Sequence, residues 1–151
     1  MVQKAYTNEA AVGLVGQISA VGGEQRIVSY ICSTDIEPGT ALSFTADGRV
    51  TNVGSGTLAY AGIALNTLIG SSAGGDTYQA GDLVPVADKV SVYCELTAGT
   101  AAIGAPVYRV TTTGAITAQD NATSTLIPNA RFESAAVGSS TNAPLVDVRL
   151  G

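Results

Sequence analysis

From residue 26 to its end, the chain is cut into short β-type runs by turn residues, and no stretch sustains a 3.6-residue periodicity. The runs are RIVSYICST (26–34), TALSFT (40–45), RVTNV (49–53), AYAGIAL (59–65), DLVPVA (82–87), VSVYCEL (90–96), PVYRVTT (106–112), AITA (115–118), ARFESAAV (130–137) and LVDVRL (145–150). A spacing of about 8 to 12 residues predicts an all-β fold, a small β-barrel or β-sandwich built of short strands and hairpins. VSVYCEL alternates, which places Val90, Val92, Cys94 and Leu96 on one face and Ser91, Tyr93 and Glu95 on the other.

Two stretches resemble each other. Pro38-Gly39 precedes TALSFT, and Asp47-Gly48 turns the chain into RVTNV; Gly104-Ala105 precedes PVYRVTT, and Thr113-Gly114 turns it into AITA. Glycine supplies the positive φ that tight hairpins demand. The likeness fits either an internal duplication or two unrelated hairpins. Two copies are too few for a solenoid, so two unrelated hairpins is the reading taken. The stretches 71–76 (SSAGGD) and 138–144 (GSSTNAP) have the composition of mobile surface loops.

The first 25 residues differ from everything after them. Val12, Leu14, Val15, Ile18 and Val21 are interleaved with glycines at 13, 16, 22 and 23, without turn signals at strand spacing. Such a segment cannot bury itself alone; it must add to a sheet or lie extended on something else. The division is therefore an N-terminal arm, 1–25, and a single β domain, 26–151. Residues 10–22 are apolar, but they follow Glu9, contain Gln17 and lack a strongly basic flank, so neither a signal peptide nor a membrane span is expected.

Composition narrows the chemistry. Histidine and tryptophan are absent and there are two cysteines, which removes His-based triads, His metal sites and four-cysteine zinc sites. Cys32 and Cys94 lie in strand-like contexts and read as buried thiols, with one disulfide as the other possibility. Only 13% of residues are charged, with net charge −5, and the seven basic residues are scattered singly, so no nucleic-acid groove is expected. GLVGQIS and AGGDTYQAGD lack the Lys-Ser/Thr of a phosphate loop. Glu37, Glu95, Glu133 and Asp82 are available as acids, but no motif joins two of them, and Asp76, Asp82 and Asp88 do not match a compact calcium loop. No catalytic residue, metal or cofactor is expected. Tyr30, Tyr93 and Tyr108 sit singly on separate strands and read as core-edge or subunit-contact residues.

The pieces YTNEAAVGLVGQI (6–18), YAGIAL (60–65), YQAGDLVPV (78–86), GAPVYRV (104–110), TLIPNARF (125–132) and LVDVRL (145–150) together resemble the structural cement, or head decoration, proteins of tailed bacteriophages. The resemblance implies a small β-rich domain whose N-terminal arm binds the outside of an icosahedral shell built from the major capsid protein, without catalysis. It further implies location on the virion exterior after synthesis in the bacterial host cytoplasm. Self-association is implied too, as a homotrimer or alternatively a homodimer. Neither a nucleic acid nor a membrane is an expected partner. On this reading the arm contacts the capsid through Tyr6, Val12, Leu14, Val15, Gln17 and Ile18. Strand addition would supply backbone hydrogen bonds and these side chains the anchors. Two alternatives from other classes are a carbohydrate-binding or adhesion module acting through the loops 71–77 and 138–143, and a tail-tube structural protein.

Overall fold

The computed structural model describes residues 15–20, 25–54, 58–66 and 77–151. Among them there is no helix, and they form thirteen β-strands. They are β1 (Ile18–Ala20), β2 (Arg26–Ile31), β3 (Ala41–Phe44), β4 (Val50–Thr51), β5 (Tyr60–Ala64), β6 (Leu83–Lys89), β7 (Ser91–Glu95), β8 (Thr100–Ala101), β9 (Pro106–Val110), β10 (Ile116–Thr117), β11 (Ser124–Phe132), β12 (Ala136–Val137) and β13 (Leu145–Arg149). The all-β expectation holds.

Two antiparallel sheets repeat one topology. The first runs β2-β6-β5-β3-β4 and the second β1-β7-β13-β11-β9-β10. With β1 set aside, β2, β6, β5, β3 and β4 correspond in order to β7, β13, β11, β9 and β10. Each sheet also curls onto itself at the same place. The residue after β2 forms a parallel bridge to β4, Cys32 with Val50, and the residue after β7 forms one to β10, Leu96 with Ile116. The next backbone amide repeats the closure, Ser33 N–H to Val50 O at 2.9 Å and Thr97 N–H to Ile116 O at 3.0 Å. Gly39 N–H to Ala64 O and Gly104 N–H to Phe132 O are likewise equivalent. The two hairpins are thus matching parts of a structural duplication, a correction to the reading of them as unrelated.

The glycines behave as turn chemistry demands. Gly39, Gly48, Gly104 and Gly114 have φ between 73° and 83°, the region open mainly to glycine. A β-carbon on Gly114 would lie 2.4 Å from the Ala41 carbonyl oxygen. That carbonyl belongs to the other sheet, and Ala41 N–H donates to Gly114 O at 2.9 Å. The second hairpin turn is therefore a point of backbone contact between the halves.

Each half has its own core. Cys32, Ile36, Leu42, Val50, Ala61, Ala64, Tyr78, Val84 and Val86 fill the first curl, with Tyr30 and Phe44 at its border. Val92, Cys94, Leu96, Val107, Ile116, Ile127, Phe132, Val146 and Val148 fill the second, joined by Ala41, Ile63 and Ala87 from the first sheet. Full burial of one such aliphatic side chain contributes about 1.5–3 kcal/mol. The apolar face expected of 90–96 is seen, with Val90, Val92, Cys94 and Leu96 buried; on the opposite face Glu95 is exposed and Tyr93 half-buried, but Ser91 is buried too.

Two boundaries differ from expectation. The run 130–137 is not one strand: β11 starts earlier, at Ser124, and β12 is separate. Pro128 and Asn129, which look like a break, are absorbed in an irregularity where the β11–β9 register shifts between Leu126 and Arg131 and Asn129 adopts φ 59°. The loop 138–144 is not a free excursion either. Gly138 N–H donates to Gly99 O, Ser139 N–H to Leu96 O, and Pro144 O accepts from Leu96 N–H. Residues 71–76 lie outside the described residues.

Candidate functional surface

The arm's root is seated on the second sheet. Tyr93, in the middle of β7, gives both of its backbone groups to it: Tyr93 N–H donates to Gln17 O at 2.9 Å, and Tyr93 O accepts from Gly16 N–H at 2.7 Å. Ile18 then pairs with Val92 and Ala20 with Ser91. Ser19 Oγ–H donates to Asp147 Oδ1 across the neighbouring strand. Asn66 N–H closes the attachment on Gly16 O at 2.9 Å. Gly16 has φ 79°, and a β-carbon there would lie 2.7 Å from Pro38 Cβ and 2.8 Å from Asn66 N, so this turn admits only glycine.

Of the arm residues singled out from sequence, Val15 and Ile18 are half-buried and Gln17 is exposed. Val15 reaches over Gly39, and Ile18 packs against the second core. These three are brought together on the domain's own sheet. Tyr6, Val12 and Leu14 lie outside the described residues.

Among the described residues, the matching edge of the first sheet is unpaired. Cys32 faces β6, since its N–H donates to Asp82 O and its C=O accepts from Gly81 N–H. Backbone direction alternates along an antiparallel strand, and the β2–β6 register is unbroken from Ile27 to Ile31. Tyr30 and Val28 therefore also bond to β6, and the N–H and C=O groups of Ile27, Ser29 and Ile31 point away from it. No described strand pairs with that side of β2. Five of the six β2 residues are exposed, Ile27 by 41% and Ile31 by 42%, and Leu83, opposite Ile31, by 62%. Sequence reading took 26–34 as one strand and did not identify this edge. The only local signal was apolar side chains at successive positions without alternation.

Between the seated arm root and this strand runs an open groove of about 440 Å³, lined by Gly16, Gln17, Ile18, Ile27, Leu65, Asn66 and Pro85. Its walls are mostly apolar.

The ionisable groups have structural partners. Arg26 pairs with Asp88 at 3.2 Å and Arg149 with Glu133 at 3.6 Å. Asp82 Oδ2 accepts from Gln79 N–H at 2.9 Å. Burial raises the Asp147 carboxyl above its ordinary value, with a further push from Glu133, while the Ser19 hydroxyl pulls it back. Among the described residues no three acidic or cysteine side chains converge in a way that could hold a metal ion. Cys32 and Cys94 are free, buried thiols, as expected.

Residues 2–151 match the family model described as structural cement protein (E217 gp24/Pam3 gp6). A chain in a solved structure titled the capsid of Myoviridae phage XM1 shares this fold, with a TM-score of 0.73, 16% identity, and coverage of 91% of this chain and 89% of that one. No curated protein matches the sequence.

Proposed function

Because the chain belongs to the phage structural cement protein family, we propose that it is a non-enzymatic virion protein that binds the outer face of an icosahedral capsid and bridges subunits of the major capsid protein. The match over residues 2–151 carries this reading. The surface supports it: a β domain with few charges, an arm rooted on one sheet and an open strand edge on the other suits a protein that adds strands and apolar side chains to neighbours.

The action is mechanical. Each bridge adds contacts that internal pressure must break before the shell opens. Self-association as a homotrimer multiplies modest contacts through effective concentration. Residues 1–14, which include Tyr6, Val12 and Leu14, are the reaching element of the bridge, and Val15, Gln17 and Ile18 fix its root.

The test is addition of purified protein to capsids that lack it, read by co-sedimentation and by the temperature at which the shells release DNA. Saturable binding with a raised release temperature is expected. Absence of binding to mature shells overturns the reading, as does saturable binding to glycans with none to shells, which would favour the adhesion alternative.

A further inference from the structure

The duplication makes one half a template for the other. On β7, the edge position Tyr93 has its N–H and C=O taken by Gln17 and Gly16 of the arm. The equivalent position on β2 is Ser29: counting back from the matching closures at Thr97 and Ser33, Tyr93 and Ser29 stand four residues before each. Ser29 and its edge neighbours Ile27 and Ile31 present the same outward donors and acceptors, and no described strand takes them. An edge of this kind, flanked by exposed Ile27, Ile31 and Leu83, is complementary to an extended apolar segment.

We propose that residues 1–14 of a neighbouring copy of this chain add as a strand to the open edge of β2. The occupant of the matching edge is itself a piece of the N-terminal arm, so the chemistry required is the chemistry this arm displays. A turn at Val15–Gly16 ends the run along β7. The fourteen residues ahead of it would span about 46 Å extended, more than twice the roughly 20 Å that a six-residue strand such as β2 occupies. AAVGL, at 10–14, supplies small and apolar side chains with no charge to repel or desolvate. Each copy offers one arm and the edge of β2 that no described strand takes, a head-to-tail contact that closes into a ring when its rotation permits, as in a trimer. The proposal rests on the cement reading but gives the arm a second copy as its partner in place of the capsid protein, and it leaves the remaining surface of the ring for the shell.

The test pairs Ser29→Cys with Val12→Cys in the full chain, with Cys32 and Cys94 buried and inert. Oxidation is carried out on the free protein and on shell-bound protein, followed by non-reducing electrophoresis and mass spectrometry. Crosslinks that join the thiol introduced at position 12 of one copy to the thiol introduced at position 29 of another, giving dimer and trimer bands, are the expected result. A crosslink confined to single chains, attachment of the arm to the capsid protein, or no crosslink in either state overturns the proposal. As a second variant, Ser29→Pro removes an outward N–H without touching the β2–β6 bonds. It is expected to lower the mass of the free protein about threefold while circular dichroism stays unchanged, and to weaken shell binding on the order of a hundredfold through lost avidity. Double-cysteine protein that crosslinks as expected, alongside wild-type protein that ignores shells, would refute the cement reading and leave the arm contact standing.

Discussion

Arg109 holds its guanidinium carbon 5.5 Å from the centre of the Tyr60 ring, and the contact crosses from one sheet to the other. The side chain is 3% exposed and donates through Nη1 to Leu42 O at 3.3 Å and to Ser43 Oγ. Gly54 leaves it room, since a β-carbon there would lie 2.7 Å from Cζ. Burial lowers the pKa of the guanidinium, and no described carboxylate lies within ion-pair distance of it. Among the described residues, neither its Nε nor the Tyr60 hydroxyl has a hydrogen-bond partner. A buried charge held this way contributes more through shape than through charge. Arg109→Ala is expected to destabilise the fold by about 3 kcal/mol through lost packing and unpaired acceptors, whereas Arg109→Met should recover most of that loss. Urea unfolding of the two variants checks it; equal losses would show that the charge itself matters.

Steric space separates two glycines with similar dihedrals. Gly48 has φ 81° and nothing within 4 Å of an added β-carbon, while Gly114 has φ 73° and meets the Ala41 carbonyl at 2.4 Å. Gly48→Ala is expected to cost about 1 kcal/mol, the conformational part alone. Gly114→Ala should cost at least twice as much because the sheets must separate to admit the methyl group. Thermal unfolding midpoints of the two variants measure the difference.

The raised Asp147 pKa sets a pH dependence. A carboxyl whose folded pKa lies above its unfolded value penalises the folded state while ionised, so stability rises as pH falls through the folded pKa and levels off below the ordinary value of 3.8. Asp147→Asn removes the penalty and retains an acceptor for Ser19. It is expected to be more stable than the wild type at pH 7, with the gap closing as the pH falls towards 4. Denaturant midpoints across that range test it, and a gap independent of pH would refute it.

Cys32 and Cys94 are 0% exposed, and burial raises both thiols above the ordinary value. Thiolate is the reactive form. Neither should react with a thiol reagent in native protein at pH 8, both should react at once in denaturant, and reductant should leave the unfolding midpoint unchanged. Rapid native labelling of either would contradict the burial.

Much of the architecture was legible because it is local. The turn glycines and the alternation of 90–96 report on residues a few positions apart, and both hairpins formed where the sequence placed them. The duplication, one of the two readings open to the sequence, could not be decided there because matching backbone positions carry unlike side chains. Phe44 and Arg109 sit opposite Val50 and Ile116 in the two ladders, and Cys32 and Leu96 form the two closures. What persists is backbone chemistry: glycine at 39 and 104 and at 48 and 114, and a threonine hydroxyl, Thr51 or Thr117, that accepts from the amide two residues later. β1 was not legible as a strand, because three residues carry no period and its partner lies more than seventy positions away. The open edge of β2 was invisible for the same reason, since an edge is defined by what fails to pair with it.

The attachment of the arm sets an order on the making of this protein. Gly16 and Gln17 leave the ribosome before their acceptor and donor on Tyr93 exist, and the Ser19–Asp147 bond waits for a residue more than fifty positions beyond Tyr93. The first curl can close on its own strands in the meantime. Seating of the arm on β7 is thus a late event that depends on the second half, so a chain that stops early would keep only the Asn66 and Gly39 contacts of its arm root and would be unable to compete with complete copies for places in an assembly.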